Sequence, residues 1–305
     1  MFELEARQGS ARRRGLQFIE PMLPTLVSKA PEGDDWLHEI KYDGFRTQLV
    51  LDGSKGRAFT RRGFDWSDRY RPVLAAAQEL GCSSAIIDGE LIVQDEQGRS
   101  DFQAFQHAMR HEPHRLVFMA FDLLHLNGED LRSTPLIERR ERLFNLVGCH
   151  DPHCRIQHSE HVIGGGGAMF NACDRMGLEG IVSKRIRSRY RSGRSSQWLK
   201  VKCWAEGEFV VVGIEPAADG PAVAMLARET ELGLEYSGGA AITLAEPDRE
   251  RFWRRVEGLA SAEWAAGVSP GRKATRLRPE MRVRVRYLRG SGKLRHATLS
   301  ALLPD

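Results

Sequence analysis

Short strand-like runs that alternate with helical patterns restrict this chain to a mixed fold. The strand-like runs end at Gly, Asp or Asn turns, and they are "WLHEIKYDG", "FRTQLVLDG", "GRAFTRRG", "SAIIDGELIVQD" and "RLVFMAFDLLHLNG". Helical spacing of apolar residues appears in "RYRPVLAAAQEL", "DFQAFQHAM", "PLIERRERLFNLV" and "AMFNACDRMG". Hairpin-like neighbours with helices between them predict an α+β fold with mainly antiparallel sheets.

The pattern changes after "WLKVKCWAEG". One helical pattern, "EPDRERFWRRVEGLA", now lies among the short strand-like runs "EFVVVGIEP", "AVAMLARET", "LEYSGGA", "MRVRVRYL" and "KLRHATLSALL". About five strands and one helix in roughly a hundred residues have the size of an OB-type barrel. We therefore predict a basic tail at 1–17, an α+β domain at 18–204 and a C-terminal OB-fold β-barrel at 205–305.

Basic residues concentrate near the end of the chain, although the net charge is only +4. Between positions 272 and 295, Glu280 is the sole acid in the sequence. Strand alternation in "MRVRVRY" directs Val and Tyr to the barrel core and three arginines to the opposite face. These residues are Arg282, Arg284 and Arg286. With no interleaved acid, they predict a phosphate-facing surface over a merely solubilising one.

Membrane and secreted classes do not fit the sequence. No window has the apolar length of a membrane span, and the charged start "MFELEARQGSARRRG" lacks the apolar core of a secretory signal. The five cysteines form no CxxC pair, which predicts a reducing, cytoplasmic setting.

Two stretches resemble ligand sites only superficially. The glycine run "IGGGGAM" at 163–169 lacks the GK[ST] of a P-loop, so we interpret it as a flexible turn before a helix. The stretch "CHDPHCRIQHSEH" has a spacing that matches no standard zinc pattern, and a His-rich loop is the favoured interpretation. Its potential ligands are Cys149, His150, His153, Cys154, His158 and His161.

A lysine in "HEIKYDGFR" raises the question of chemistry. Lys41, between Ile40 and Tyr42, is either a solvated strand lysine or a nucleophile that faces a cleft. An amine attacks only when deprotonated, and a free lysine has a pKa of about 10.4. Neighbouring cations and partial burial lower that pKa. A nucleophilic lysine should therefore lie among other basic groups, near a metal or a phosphate.

Suitable groups follow at the ends of separate strands: Arg61, Glu90, Phe121, Glu179, Lys184, Lys200 and Lys202. Strand periodicity places Lys200 and Lys202 on one face. Their mutual repulsion becomes favourable when an anion such as a triphosphate lies between them.

The motifs KYDG, TRRG, DGE, FDLL, EGIV and WLKVK, in this order, resemble the nucleotidyltransferase motifs of ATP-dependent DNA ligases. The flanking stretches "FIEPMLPTLV", "DDWLHEIKYDGFR", "EGIVSKR" and "RSGRSSQWLKVK" look like the ligase module of bacterial non-homologous end-joining ligases. This resemblance covers roughly residues 18 to 300 and implies a nucleotidyltransferase (adenylation) domain followed by the OB-fold barrel. The chain lacks room for the polymerase and phosphoesterase modules of multifunctional members, so a stand-alone ligase is expected.

The resemblance also implies roles for single residues. Lys41 would attack the α-phosphate of ATP and become lysyl-AMP. Glu39 matches the residue that reads the adenine amino group, and Phe121 matches the aromatic that stacks on adenine. Arg46 and Glu90 match positions that bind the ribose and order the site.

The remaining roles concern metal and phosphate. Glu179, with Glu90, matches the carboxylates that act with Mg²⁺ or Mn²⁺. Lys200 and Lys202 match lysines that bind the α-phosphate, and Arg61 matches a basic position near the phosphate. The residues expected at the edge of the site or against DNA are Arg194, Lys184, Arg282, Arg284 and Arg286.

The expected reaction has three steps: enzyme adenylylation, AMP transfer to a 5′-phosphate, and attack by a 3′-hydroxyl. The expected partner is duplex DNA with nicks or ends, with the end-binding protein Ku as a further candidate. The resemblance implies a monomer in the bacterial cytoplasm, associated with the nucleoid.

The end of the chain departs from the family pattern. The family ends in a short motif with an arginine and a final Asp-Lys, whereas this chain ends "LSALLPD", with Leu303 at the arginine position and Asp305 last. Lost cations should weaken self-adenylylation more than sealing, because only the first step expels pyrophosphate. Arg295 is a substitute candidate. The alternatives are an accessory DNA-binding protein with impaired self-adenylylation and an RNA ligase or capping-type nucleotidyltransferase.

Overall fold

A computed structural model of the chain describes residues 15–148, 153–217, 220–266, 274–289 and 293–304. Over these ranges the chain forms two packed β-sheets with helices on their outer faces, followed by a closed β-barrel. The predicted basic tail lies outside the described residues up to position 14. Leu16 already contacts the first domain, because its backbone N–H donates to Asp52 Oδ2 at 3.1 Å. No helix in the described ranges has the length and apolar character needed to cross a membrane.

The first sheet contains β1 (Met22–Leu26), β2 (Trp36–Ile40), β9 (Val162–Ile163), β10 (Gly180–Arg185) and β11 (Gly193–Lys202). Its strand order is β1-β11-β10-β2-β9, with only the β1–β11 pair parallel in the described sheet. Val182 is in register with Glu39 on one side and Lys200 on the other. The register therefore brings distant sequence motifs together on one sheet.

The second sheet contains β3 (Phe45–Asp52), β4 (Lys55–Thr60), β5 (Ser84–Ile92), β6 (Val117–Leu126), β7 (Glu129–Asp130) and β8 (Ile156–His158). Its order is β4-β3-β5-β6-β7, and β8 pairs in parallel with β6. The β3–β5 register places Arg46 opposite Glu90, and Gln48 opposite Asp88.

Four helices cover the outer faces: α1 (Arg71–Gln78), α2 (Phe102–His111), α3 (Leu136–Val147) and α4 (Gly166–Arg175). The first three pack against the second sheet, and α4 packs against Ile181 and Val201 of the first. The helix α4 starts within the glycine run, as the predicted turn before a helix requires. Its Gly167 N–H donates to Glu32 Oε1 at 2.9 Å, so a carboxylate already occupies this helix start.

The inner faces of the two sheets share an apolar core. Met22, Leu37 and Trp198 of the first sheet belong to one buried cluster with Ile86 and Phe121 of the second. Beyond this core the inner faces carry polar and charged side chains and border an open cleft. Alternation along each strand therefore decides which side chains seal the core and which reach the cleft.

The barrel contains β12 (Trp204–Glu215), β13 (Val223–Thr230), β14 (Gly233–Ala241), β15 (Ala260–Ser261), β16 (Thr275–Leu288), β17 (Thr298–Leu302) and helix α5 (Asp248–Gly258). Pairing of β12 with β16 closes the order β12-β13-β14-β17-β16 into a ring. Phe252 and Val256 of α5 enter its core. The predicted strand at 293–303 is shorter, because His296 adopts a left-handed conformation with φ of 48°.

The pair Arg139–Asp122 joins α3 to β6 inside the protein. Arg139 Nε and Nη2 lie 2.7 and 2.8 Å from the two Asp122 oxygens, and both side chains are fully buried. Removal of the cation leaves a buried charge without compensation. We expect Arg139→Met to lower the free energy of unfolding by about 3–5 kcal/mol in urea denaturation.

The matched control lies on the same helix. Arg142 pairs with Glu129 at 2.7 Å, but both side chains are exposed. Arg142→Met should change the free energy of unfolding by less than about 1 kcal/mol. Equal losses in the two variants would contradict the importance of the buried pair.

Candidate active site

A cleft of about 710 Å³ opens between the inner faces of the two sheets. It is bordered by side chains from strands of both sheets. Among the described residues, nine that were singled out in the sequence line it: Glu39, Lys41, Arg46, Arg61, Glu90, Phe121, Lys184, Arg194 and Lys200. The fold thus assembles in one place groups that are up to 161 positions apart, from Glu39 to Lys200.

Lys41 follows the end of β2 and faces this cleft. Its backbone N–H donates to Gly180 O at 2.9 Å, and its Nζ lies 2.5 Å from Glu179 Oε2. The Lys41 side chain is 22% exposed, whereas that of Glu179 is 5% exposed. A Cβ on Gly180 would come within 2.1 Å of Val201 O, so glycine permits this close approach. The geometry therefore fits an amine aimed into a cleft and not a solvated strand lysine.

Cations surround the same space. Burial and the positive charges of Lys41, Lys202, Arg194 and Arg61 lower the pKa of Lys200. Burial, together with Lys41, also lowers the pKa of Lys202, although a nearby carboxylate opposes the shift. Like charges at this density favour an anionic ligand between them. Lys200 and Lys202 were predicted to share one face of β11. In agreement, Val201, which lies between them and faces the other side of the strand, is buried in the cluster that includes α4.

Glu90 lines the cleft, and Glu179 lies beside it as the ion-pair partner of Lys41. Burial raises the pKa of Glu90 from 4.5 to about 7; Lys41 and Arg46 oppose this, and Glu179 adds to it. The two acids are therefore close enough to repel each other, and a cation between them would relieve the repulsion. Among the described residues, no group of three or more His, Cys, Asp or Glu could form a protein-only metal site. A pair of carboxylates fits Mg²⁺ that also binds substrate phosphates.

The floor of the cleft combines aromatic and charged groups. Phe121 and Trp198 lie edge to face, 6.2 Å between centroids, and Lys184 Nζ is 4.2 and 4.3 Å from their ring centres. Glu39 pairs with Lys184 Nζ at 2.6 Å and also with Arg140. Aromatic faces beside a hydrogen-bonding carboxylate suit a planar heterocycle.

The position of Lys184 narrows one expectation. Lys184 was expected either elsewhere in the site or against DNA, and it lines the cleft. It is only 2% exposed, and burial lowers its pKa while Glu39 opposes the shift. A buried ammonium on the cleft floor does not reach a duplex on the surface.

Arg46 is fixed by residues that sequence reasoning missed. Its guanidinium binds both oxygens of the buried Asp88 at 3.0 and 2.6 Å, and Nη1 donates to Met22 O at 2.7 Å. Tyr190 OH donates to the same carboxylate at 2.6 Å. The position of Asp88, two residues before Glu90 in "DGE", was the sequence signal that could have identified Asp88. No pattern in the sequence pointed to Tyr190 or to Arg140.

One barrel cation reaches the KYDG turn. Arg295 pairs with Asp43, two residues after Lys41, and its guanidinium carbon lies 4.1 Å from the Phe102 ring centre. The final strand does not reach the cleft, because Leu303 N–H donates to Arg282 O on the barrel at 3.0 Å. Asp305 lies outside the described residues.

The arginine row on β16 alternates with buried residues as predicted. No acid is interleaved with this row in the sequence, but acids on neighbouring strands pair with two of its arginines. Arg282 binds Glu229 of β13 at 2.7 and 2.8 Å, and Arg284 binds Glu208 of β12 at 3.2 Å. Arg286 lies instead over the ring of a neighbouring tryptophan. Acids that are distant in sequence therefore neutralise part of this surface.

The His-rich loop offers no assembled zinc site in the described residues. Cys149 and His150 lie outside the described residues. Cys154 is disulfide-bonded and so is not available as a thiolate ligand. His161 Nδ1 lies 3.1 Å from Arg140 Nη2 and belongs to the surroundings of Glu39.

Comparisons with known proteins agree on one family. A family model described as "ATP dependent DNA ligase domain" matches residues 21–202. The multifunctional non-homologous end joining protein LigD of Pseudomonas aeruginosa is 34% identical over 95% of this chain and 36% of its own length. The corresponding DNA repair protein LigD of Mycobacterium tuberculosis is 30% identical over 94% of this chain and 39% of its own length.

A solved structure is also similar. A mycobacterial DNA ligase D complexed with ATP and MES has a TM-score of 0.58 and 29% identity, and the match covers 93% of this chain and 95% of that chain. The chain spans little more than a third of the two LigD relatives.

The raised pKa of Glu90 predicts a dependence of stability on pH. The folded state keeps this proton up to about pH 7, whereas the unfolded chain releases it near pH 4.5. Because the folded state binds more protons in this window, the free energy of unfolding should fall as pH rises through it. Urea denaturation from about pH 5 to 8 should show wild type losing stability relative to Glu90→Gln.

Glu129→Gln is the control for that comparison, because Glu129 lies on the exposed strand β7. Its difference from wild type should stay flat over the same pH range. A flat difference for Glu90→Gln as well would contradict the raised pKa.

Proposed function

The chain belongs to the family of ATP-dependent DNA ligase domains, and from this membership we propose that it seals 3′-hydroxyl/5′-phosphate breaks in duplex DNA through a lysyl-AMP intermediate. The observation that carries the proposal is the Lys41 amine, 2.5 Å from Glu179 inside a cation-lined cleft. The solved mycobacterial relative with ATP supports ATP as the co-substrate.

Step one is attack by Lys41 Nζ on the α-phosphorus of ATP. The N–P bond forms as the bond from phosphorus to the pyrophosphate oxygen breaks. The attacking amine must lose its proton, and Glu179 is the carboxylate in contact with it. Lys200, which lines the cleft, and Lys202, two residues further along β11, would neutralise the charge on the non-bridging oxygens.

The cleft floor is the proposed adenine site. Phe121 offers a ring for stacking, and the Glu39 carboxylate can accept a hydrogen bond from the adenine amino group. Lys184 and Arg140 orient that carboxylate through their ion pairs. Arg46, fixed by its buried aspartate, borders the ribose side.

Glu90 and Glu179 would bind Mg²⁺ or Mn²⁺ together with the nucleotide phosphates. Their mutual repulsion supports this assignment. A bound divalent ion supplies charge neutralisation for the polyphosphate. The protein contributes the two oxygen ligands and excludes water from the buried side of the site.

In step two a 5′-phosphate oxygen of DNA attacks the lysyl-AMP phosphorus, which releases the Lys41 amine. In step three a 3′-hydroxyl attacks the activated 5′-phosphate, and AMP leaves. Arg61 and Arg194 line the cleft and are the proposed contacts for the incoming DNA phosphate. Arg282 and Arg284 would exchange their acid partners for DNA phosphates, and Arg286 is a third proposed DNA contact.

We propose that the barrel is an OB fold, since five strands close into a ring with one helix. The boundary between domains then lies near Cys203, between β11 and β12. The LigD relatives support a role in DNA end joining. Ku as a partner and a monomer as the working form are further parts of the proposal. That role implies action in the bacterial cytoplasm, at the nucleoid.

Two alternative functions are tested alongside the ligase proposal, and the position of Leu303 bears on the first of them. The terminal strand carries no cation to the cleft in the described residues, and Leu303 bonds to the barrel. The first alternative is an accessory DNA-binding protein with impaired self-adenylylation, which the labelling experiment tests. A capping-type enzyme would instead prefer GTP.

Labelling tests step one. Protein incubated with Mg²⁺ and ATP labelled at the α-phosphate should retain label after denaturation, since the N–P bond is covalent. We expect Lys41→Ala to abolish the label completely. Lys55→Ala, at an exposed position at the start of β4, should label like wild type. Label that persists in Lys41→Ala would contradict the assignment of the nucleophile.

A pre-adenylylated nick tests the sealing step separately from adenylylation of the enzyme. Wild type should seal this substrate without ATP, faster than it seals a plain nick with ATP. Absence of label and of sealing, with duplex binding retained, would favour the accessory DNA-binding alternative. A stronger label from GTP than from ATP would favour the capping alternative.

A further inference from the structure

The segment 186–191, "IRSRYR", between β10 and β11 alternates buried and exposed side chains. Ser188 and Tyr190 are each 5% exposed. The exposed side chains between and beside them are Arg187, Arg189 and Arg191. Ile186 and Arg187 form a turn, in which Ser188 N–H donates to Arg185 O at 3.0 Å, and Arg189 and Arg191 line one depression on the surface. We call the three exposed arginines of this segment the arginine edge.

The buried residues anchor this edge to the core. Ser188 Oγ donates to Arg185 O at 2.7 Å, and Ser188 O accepts hydrogen bonds from Leu136 N and Arg139 Nη1. Tyr190 OH donates to the buried Asp88 at 2.6 Å. Because the backbone is already fixed, a ligand need not pay the entropy of ordering it.

The arginine edge is not neutralised. Within the ranges that the structure describes, none of its three arginines forms an ion pair, unlike Arg282 and Arg284 on the barrel. The nearby acid Asp130 is already bound by Arg132 through Nε, at 2.9 and 3.1 Å. A depression of about 380 Å³ beside the edge is lined by further donors, among them Ser133 and Ser192. This surface suits an anion with several charges in a row.

The arginine edge is followed in the chain by a residue of the cleft. Arg194, three residues after the last arginine of the edge, lines the cleft, and Gly193 pairs with Met22 at the start of β1. Tyr190 also contacts the aspartate that fixes Arg46. The arginine edge thus ends three residues before an arginine that lines the cleft.

We propose that the arginine edge binds the sugar–phosphate backbone of one DNA strand, at consecutive phosphates beyond the break. The proposal rests on the proposed ligase function. Arginine pairs with phosphate in a bidentate manner, and such contacts position a duplex without reading its sequence. The edge would thus fix the register of the break over Lys41.

The test compares salt dependence of binding to a nicked duplex. Three lost phosphate contacts reduce the slope of log affinity against log salt by about 2.7. We expect this reduction in the triple variant Arg187→Gln, Arg189→Gln, Arg191→Gln. Between about 50 and 200 mM salt, wild type should then lose about 40-fold more affinity than the variant.

A matched control removes the same charge elsewhere. Arg71, Arg115 and Arg249 are exposed and pair with neighbouring acids on their own helices or turns. Their triple change to Gln should keep the wild-type slope. The edge triple changed to Lys should stay near the wild-type slope, because the charges remain. Labelling with ATP in the absence of DNA should be equal in all variants, since the edge lies outside the nucleotide site.

Two outcomes overturn the proposal: an unchanged slope in the edge Gln triple, or an equal loss of slope in the control triple. Should the Gln triple fail to take label, the three single variants replace it, each with an expected slope reduction of about 0.9. Failure of the ligase function itself would look different, because wild type would then neither take label nor seal a nick.

Discussion

The Asp88 carboxylate connects the two sheets on which the cleft depends. Fully buried on β5, it accepts two hydrogen bonds from Arg46 and one from Tyr190 OH. Arg46 and Tyr190 in turn bond the backbone of Met22 on the other sheet. A buried carboxylate is tolerable only with such complete pairing. The separation of the sheets, and with it the width of the cleft, is therefore set by charge compensation as well as by apolar packing.

Local patterns were sufficient to predict much of the fold and the site. The helices over Arg71–Gln78 and Leu136–Val147 follow from apolar spacing, and strand alternation placed Lys200 and Lys202 on the side of β11 opposite the buried Val201. The gathering of Lys41 with Glu179 was expected only through resemblance to a family, because no local rule brings together positions that far apart in the chain. Strand register, which depends on the whole sheet, performs that step.

What the sequence did not predict depends on contacts across strands. Arg282 and Arg284 looked unopposed because their acids, Glu229 and Glu208, are 53 and 76 positions away. In the sequence Lys184 cannot be distinguished from a surface lysine, yet in the structure two aromatic rings and a carboxylate enclose it. Charge in a sequence is a count, whereas electrostatic potential at a surface depends on which opposite charges the fold brings alongside. The ion pairs between residues of different strands therefore cannot be predicted from local sequence patterns.

Under the proposed function, the contact between Arg295 and Asp43 couples the barrel to nucleotide binding through electrostatics. In the described arrangement the arginine compensates a carboxylate two residues from the nucleophile. Rotation of the barrel away from the sheets would leave Asp43 negative beside a cleft suited to a polyphosphate. Repulsion would then weaken retention of the triphosphate, so barrel position and nucleotide occupancy are thermodynamically linked, each changing the free energy of the other by the same amount.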